Sequence, residues 1–133
     1  MRAVLDTNVF ISGIFWKGQA SKVISHWKEG KFTLVVSLEI VSEIITVLKD
    51  FKIQLPGDMI KEWSDLIVRN SLVVETSEKL NVVRDDQKDN MFIEAAVAGN
   101  ADYIVSQDNN LLKLKEYRRI KIVSPEDFIG LFE

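Results

Sequence analysis

The sequence predicts an α/β fold built on a parallel sheet with helices over both faces. Short apolar runs of strand length alternate with stretches whose apolar residues keep helical spacing, and no hairpin signal joins one strand-like run to the next. The first run shows the transition such a fold requires. Ala3-Val4-Leu5 halts at Asp6, and after Asp6-Thr7-Asn8 the residues Val9, Phe10, Ile11 and Ile14 take up helical periodicity. In open parallel sheets ligands gather outside the carboxyl ends of the strands, so Asp6 is expected at the mouth of a cleft.

The remaining elements follow in order. Ala20 to Gly30 reads as a helix, with Val23, Ile24 and Trp27 on one face and Gly30 as its stop. Phe32 to Val36 is a buried strand, and Ser37 caps a helix from Leu38 to Leu48 with a broad apolar stripe. Pro56 opens a helical stretch reaching about Asn70, a placement proline favours. Leu72 to Val74 is a short strand suited to an edge, and Leu80 to Val83 fits neither pattern well. Asp89 to Ala98 is a helix ending at Gly99. Tyr103 to Val105 and Ile120 to Val123 are strands, separated by a short helix from Asn109 to Lys115. Ser124-Pro125-Glu126-Asp127 caps and opens a last helix.

Composition narrows the chemistry. With 133 residues and 47% apolar content the chain is expected to be one domain with its own core, spanning residues 1–133. It has no cysteine and a single histidine, His26, which argues against disulfides and against a zinc site of the usual His/Cys kind. No apolar run approaches the roughly 20 residues of a membrane span, and the first residues fit no signal peptide. A soluble, cytoplasmic protein with no membrane partner is the expectation. The net charge of −3 gives no bulk attraction for nucleic acid, although acids gathered around cations would not repel a phosphate as free acids do.

Four acids stand where solvated ones are not expected. Asp6 and Asp108 each follow a strand. Glu43 falls about 40° from Val47 and about 60° from Ile40 around its helix, at the edge of the apolar stripe. Asp89 precedes Ile93 by four and Ala96 by seven, extending a buried face back to the helix start. Singly, each has an ordinary explanation as a cap or a flanking residue. Together, a doubly wound sheet brings them to one rim. At about 6 Å and an effective dielectric of 20, repulsion is roughly 3 kcal/mol per pair, on the order of 15 kcal/mol for the six pairs. That rivals a whole domain's stability of about 5–15 kcal/mol, so such a cluster must bind cations or share protons. All-oxygen ligation selects hard ions, Mg²⁺ or Mn²⁺, which polarise a phosphodiester and activate water. The constellation suggests phosphodiester hydrolysis.

Four segments, LDTNVFIS, VVSLEIVSEIITVL, RDDQKDNMFIEAAVAGNADYIVSQD and KIVSPEDF, match one family in order and spacing over essentially the whole chain. The sequence resembles the PIN-domain nucleases, particularly the VapC-like toxins of prokaryotes. The resemblance implies a three-layer, Rossmann-like α/β/α sandwich with a mostly parallel central sheet. It implies a catalytic, metal-binding set of Asp6, Glu43, Asp89 and Asp108 holding one or two Mg²⁺ or Mn²⁺ ions. It also implies endoribonuclease activity on RNA, homodimers and an antitoxin partner. Asn8 and Ser106 match positions that support the acids or a bound water. From the residues themselves, Ser106 and Asn110 beside Asp108 are suited to bind water or phosphate oxygens. Relatives often carry an acid where this chain has Asn110, which weakens the hold on a second ion. Asp86 lies close enough to Asp89 in sequence to take its place in an alternative assignment.

Other features have two readings each. Lys113, Lys115, Arg118, Arg119 and Lys121 form a basic run that would guide a nucleic-acid backbone toward Asp108, or simply form a solvated turn. Phe15-Trp16-Lys17-Gly18 offers aromatics for base stacking, a dimer contact or a core plug. Trp63 reads as core, and His26 as remote from the chemistry. Two other functions are open: Asp6 as the phosphoryl acceptor of a phosphatase or receiver-like domain, and a PIN-like module that binds RNA or protein without catalysis.

Overall fold

The structure, a computed structural model, describes residues Met1 to Glu133. Its organising strand is β1 (Arg2–Leu5), in which Ala3, Val4 and Leu5 are all buried. Neighbouring strand residues point to opposite faces, so burial of all three means that both faces of the sheet are covered. β1 lies between β2 (Thr33–Ser37) and β4 (Tyr103–Val105), parallel to both, with Ala3 in register with Leu34 and Val4 with Ile104. Beyond β2 runs β3 (Ser71–Val74), and beyond β4 run β6 (Ile120–Val123) and the two-residue β5 (Glu116–Tyr117). The order is β3-β2-β1-β4-β6-β5, parallel except for β5.

Helices α1 (Thr7–Phe15), α2 (Gln19–Lys28), α3 (Leu38–Asp50), α4 (Gly57–Arg69), α5 (Asn90–Ala98) and α6 (Asn109–Leu112) lie between the strands and α7 (Pro125–Gly130) follows the last one, with a 3₁₀ turn at Gln87–Asp89 before α5. α5 crosses the middle of the sheet against β1, β2 and β4, burying Phe92, Ile93, Ala95 and Ala96. α1 packs closely on α2 because residue 13 is glycine; a Cβ there would stand 2.8 Å from the carbonyl oxygen of Ala20. Phe10 of α1 meets Trp27 and the edge of Trp63, which is half-buried at the margin of the core. Ser37 and Ser124 cap α3 and α7 through Ile40 and Asp127, as their sequence contexts predict.

The expectation of a sheet without hairpins fails at its last edge. β5 and β6 pair antiparallel, with Tyr117 opposite Ile120. The two turn residues, Arg118 and Arg119, stand at φ 46° and 71°, the left-handed region that Asn and Gly usually supply, so this turn carries no signal in the sequence. α6 correspondingly stops at Leu112 rather than Lys115, itself left-handed at φ 62°. The ambiguous Leu80 to Val83 is neither strand nor helix. No helix is long and apolar enough to cross a membrane.

Candidate functional site

Asp6 is the residue at which β1 becomes α1. Its backbone is still extended, one carboxylate oxygen caps the helix by accepting the Val9 amide at 2.8 Å, and the Ser106 hydroxyl donates to the other. Ser106 lies just past β4 and is completely buried; its oxygen also accepts the Asp108 amide at 2.9 Å. One hydroxyl therefore ties together the acids at the ends of two adjacent strands. Asp108 in turn caps α6, accepting the Asn110 amide at 2.8 Å.

The third contribution comes from the segment before α5. Asp89 closes the 3₁₀ turn and is 9% exposed, and one of its oxygens is buried with no hydrogen-bond donor. Asp86 opens the same turn and accepts the Lys88 amide at 3.1 Å. Carboxylate oxygens of Asp86, Asp89 and Asp108 lie within 4.8 Å of one another. Glu43, half-buried on α3, lines the same cleft, as do Asp6, Thr7 and Asn8, while Lys88 is the only cation in its wall.

All four acids singled out in the sequence thus face one cleft, but only Asp89 and Asp108 belong to its tightest group. Asp86 joins Asp89 there rather than replacing it. The helical-phase argument that favoured Asp89 treats the approach to α5 as regular helix, whereas the 3₁₀ turn brings both acids to the same side. Thr7 and Lys88 carry no distinguishing sequence signal. Asn8 is an exposed part of the cleft wall, and Asn110 meets Asp108 through its backbone amide without lining the cleft.

Burial, with crowding after it, perturbs two of these acids. Asp89 is pushed up to about 8, by burial first, then by hydrogen bonding with the Asp108 carboxyl and the charges of Asp108, Asp86 and Asp6. Burial also raises Asp6, against the lowering effect of its bonds to Ser106 and to the amides of Val9 and Gln107. Oxygen donors alone, with one buried oxygen lacking any protein partner, fit a hard divalent cation.

The basic run does not act as a unit. Lys113 bonds the exposed Asp85, while Arg118 pairs with Glu78 at 3.3 Å and lies over the Tyr117 ring. Arg118 and Arg119 precede β6 and so sit at the opposite end of the sheet from Asp6 and Asp108. Trp16 is 54% exposed and not a core plug; Phe15, its neighbour, stacks on Phe51. His26 packs against Phe132, outside the cleft.

No curated protein sequence matches the chain significantly. Among solved structures it is similar to VapBC2 from Rickettsia felis, crystallised bound to a DNA fragment from their promoter, at 15% identity and a TM-score of 0.61 over 93% of this chain and 98% of that one. The family model described as PIN domain matches residues 2–110, which takes in the whole acidic cleft, and the chain belongs to the PIN domain family.

Proposed function

We propose that the chain, residues 1–133, is a VapC-like, metal-dependent endoribonuclease, the toxin of a toxin–antitoxin pair, acting in the cytoplasm as a homodimer. The observation that carries the nuclease reading is the meeting of Asp86, Asp89 and Asp108 within 4.8 Å, in a cleft that Asp6 and Glu43 also line. Asp86, Asp89 and Asp108 would hold Mg²⁺ or Mn²⁺, with Asp6 and Glu43 able to complete the set or to orient water. Such an ion supplies positive charge to polarise a phosphodiester and make bound water acidic.

The chain's own groups do the positioning. Ser106 holds Asp6 and the Asp108 backbone in fixed relation, so the strand-end acids need no reorganisation when substrate arrives. Lys88 offers the phosphate backbone its one cationic contact in the wall. An antitoxin partner is supported by the likeness to VapBC2 and by nothing in the cleft itself. A phosphoryl-acceptor role for Asp6 is poorly supported, since both its oxygens are engaged and it is 3% exposed.

Calorimetric titration with Mn²⁺, alongside cleavage of a mixed RNA panel by the native chain and by Asp108→Asn, tests the proposal. Metal binding and chelator-sensitive cleavage, both lost in the variant, are expected. Metal binding without cleavage would favour a binding module, and full activity in Asp108→Asn would defeat the assignment.

A further inference from the structure

Between β3 and the 3₁₀ turn the chain runs through residues 75–86 with no helix or strand to hold it, yet it delivers Asp86 to the cleft. Stretches of this length without structure of their own need anchors. Here the main anchor is one side chain. Asn90, the first residue of α5 and 4% exposed, accepts the amides of Val82 at 2.9 Å and Val83 at 2.8 Å on its single oxygen. Its nitrogen donates to the Val83 carbonyl at 3.1 Å, the Gln87 carbonyl at 3.2 Å and the Gln87 side chain at 3.3 Å. The backbone is therefore fastened three residues before Asp86 and one residue after it, to the same amide group.

We propose that Asn90 is a positioning residue for divalent-ion binding: it clamps the segment on both sides of Asp86 and so keeps that carboxylate beside Asp89 and Asp108 against their mutual repulsion. This rests on reading the cleft as a metal site. The residue type suits the task. Aspartate would lose all three donations and add a further acid beside the trio, and an apolar side chain would leave the buried Val83 amide and the part-buried Val82 amide without an acceptor.

The segment's other contacts are of a different kind. Glu94, one turn along α5, accepts the Leu80 amide at 2.9 Å, six residues from Asp86. The pairs of Arg118 with Glu78 and Lys113 with Asp85 are exposed and hold it weakly. Glu94 thus provides a control that loosens the same segment without releasing Asp86.

The test is Mn²⁺ affinity by calorimetry for the native chain, Asn90→Ala and Glu94→Ala, each checked for folding by circular dichroism. Loss of a partner that orients a metal ligand typically costs 10–100-fold in affinity, and Asn90→Ala is expected in that range, with Glu94→Ala within about threefold of native. Should Asn90→Ala not fold, hydrogen exchange in the native chain decides. Mn²⁺ is then expected to increase protection at the Val82 and Val83 amides but not at Leu80. Native binding with unchanged affinity in Asn90→Ala, an equal loss in Glu94→Ala, or no gain in protection overturns the inference alone. Absence of Mn²⁺ binding by the native chain overturns the metal reading and this inference with it.

Discussion

Replacing Asp89 by Asn should stabilise the metal-free protein at high pH and leave it almost unchanged at low pH. Asp89 makes no side-chain bond to the start of α5, so the substitution removes charge without removing a cap. At 4.8 Å and an effective dielectric of 20, each carboxylate pair repels by roughly 3 kcal/mol. Asp86 and Asp108 are half-exposed to water, which reduces the measurable gain to about 1–2 kcal/mol. The sign of the pH dependence follows from linkage. Asp89 is raised in the folded state from 3.8 to about 8, so folding takes up a proton between these values. Its contribution is full below pH 4, where both states are protonated, and is lost as pH rises toward 8. Below about pH 4 the native side chain is neutral in both states, as Asn is, and the two proteins should melt together. At pH 8.5 in EDTA the variant should melt about 4–8 °C higher, taking about 4 °C per kcal/mol for a domain of this size. Mn²⁺ should raise the melting temperature of the native chain and not that of Asp89→Asn. A melting difference independent of pH, or a variant less stable at pH 8.5, would refute the crowded-acid account.

Ser106→Ala removes the donor to Asp6 and the acceptor of the Asp108 amide in a fully buried place, so it should cost about 1–3 kcal/mol by denaturant titration and lower cleavage more than RNA binding. Lys88→Met takes away the only cation of the cleft wall; RNA affinity should fall, the slope of log affinity against log salt should shrink by about one, and kcat should hold. Arg119→Gly relieves a left-handed arginine at the far end of the sheet and should raise stability by about 1 kcal/mol in thermal melts without changing cleavage; reduced cleavage would mean that this end of the sheet meets RNA.

The sequence discloses those features whose cause is local. Ala3-Val4-Leu5 halting at Asp6, the Ser37 cap, and the phase of Glu43 on α3 all reappear where periodicity and capping rules place them. What it conceals is set by distant partners. The β5–β6 hairpin turns through two arginines, and Arg118 is engaged by Glu78, 40 residues away, and by its neighbour Tyr117. Leu80 to Val83 has no element type because its amides bond side chains of Asn90 and Glu94 instead of a neighbouring strand. Asp86 is visible there only as a substitute for Asp89; that both acids meet Asp108 depends on a turn that no periodicity describes.

The ordinary and the functional explanations of these acids are not alternatives. Asp6, Asp86 and Asp108 each give one oxygen to a backbone amide two or three residues on, those of Val9, Lys88 and Asn110. That bond is what a cap is, and it also fixes the plane of the carboxylate. The cap engages one oxygen each of Asp86 and Asp108, so it aims a ligand while satisfying the chain. Asp89 alone gives no oxygen to a cap and is pushed up to about 8, with an oxygen buried and unpartnered. An acid that only terminated a helix would not be left in that condition. The cost of holding Asp89 there is intelligible if its partner is an ion, and the capped acids around it are the rigid frame in which that ion would be received.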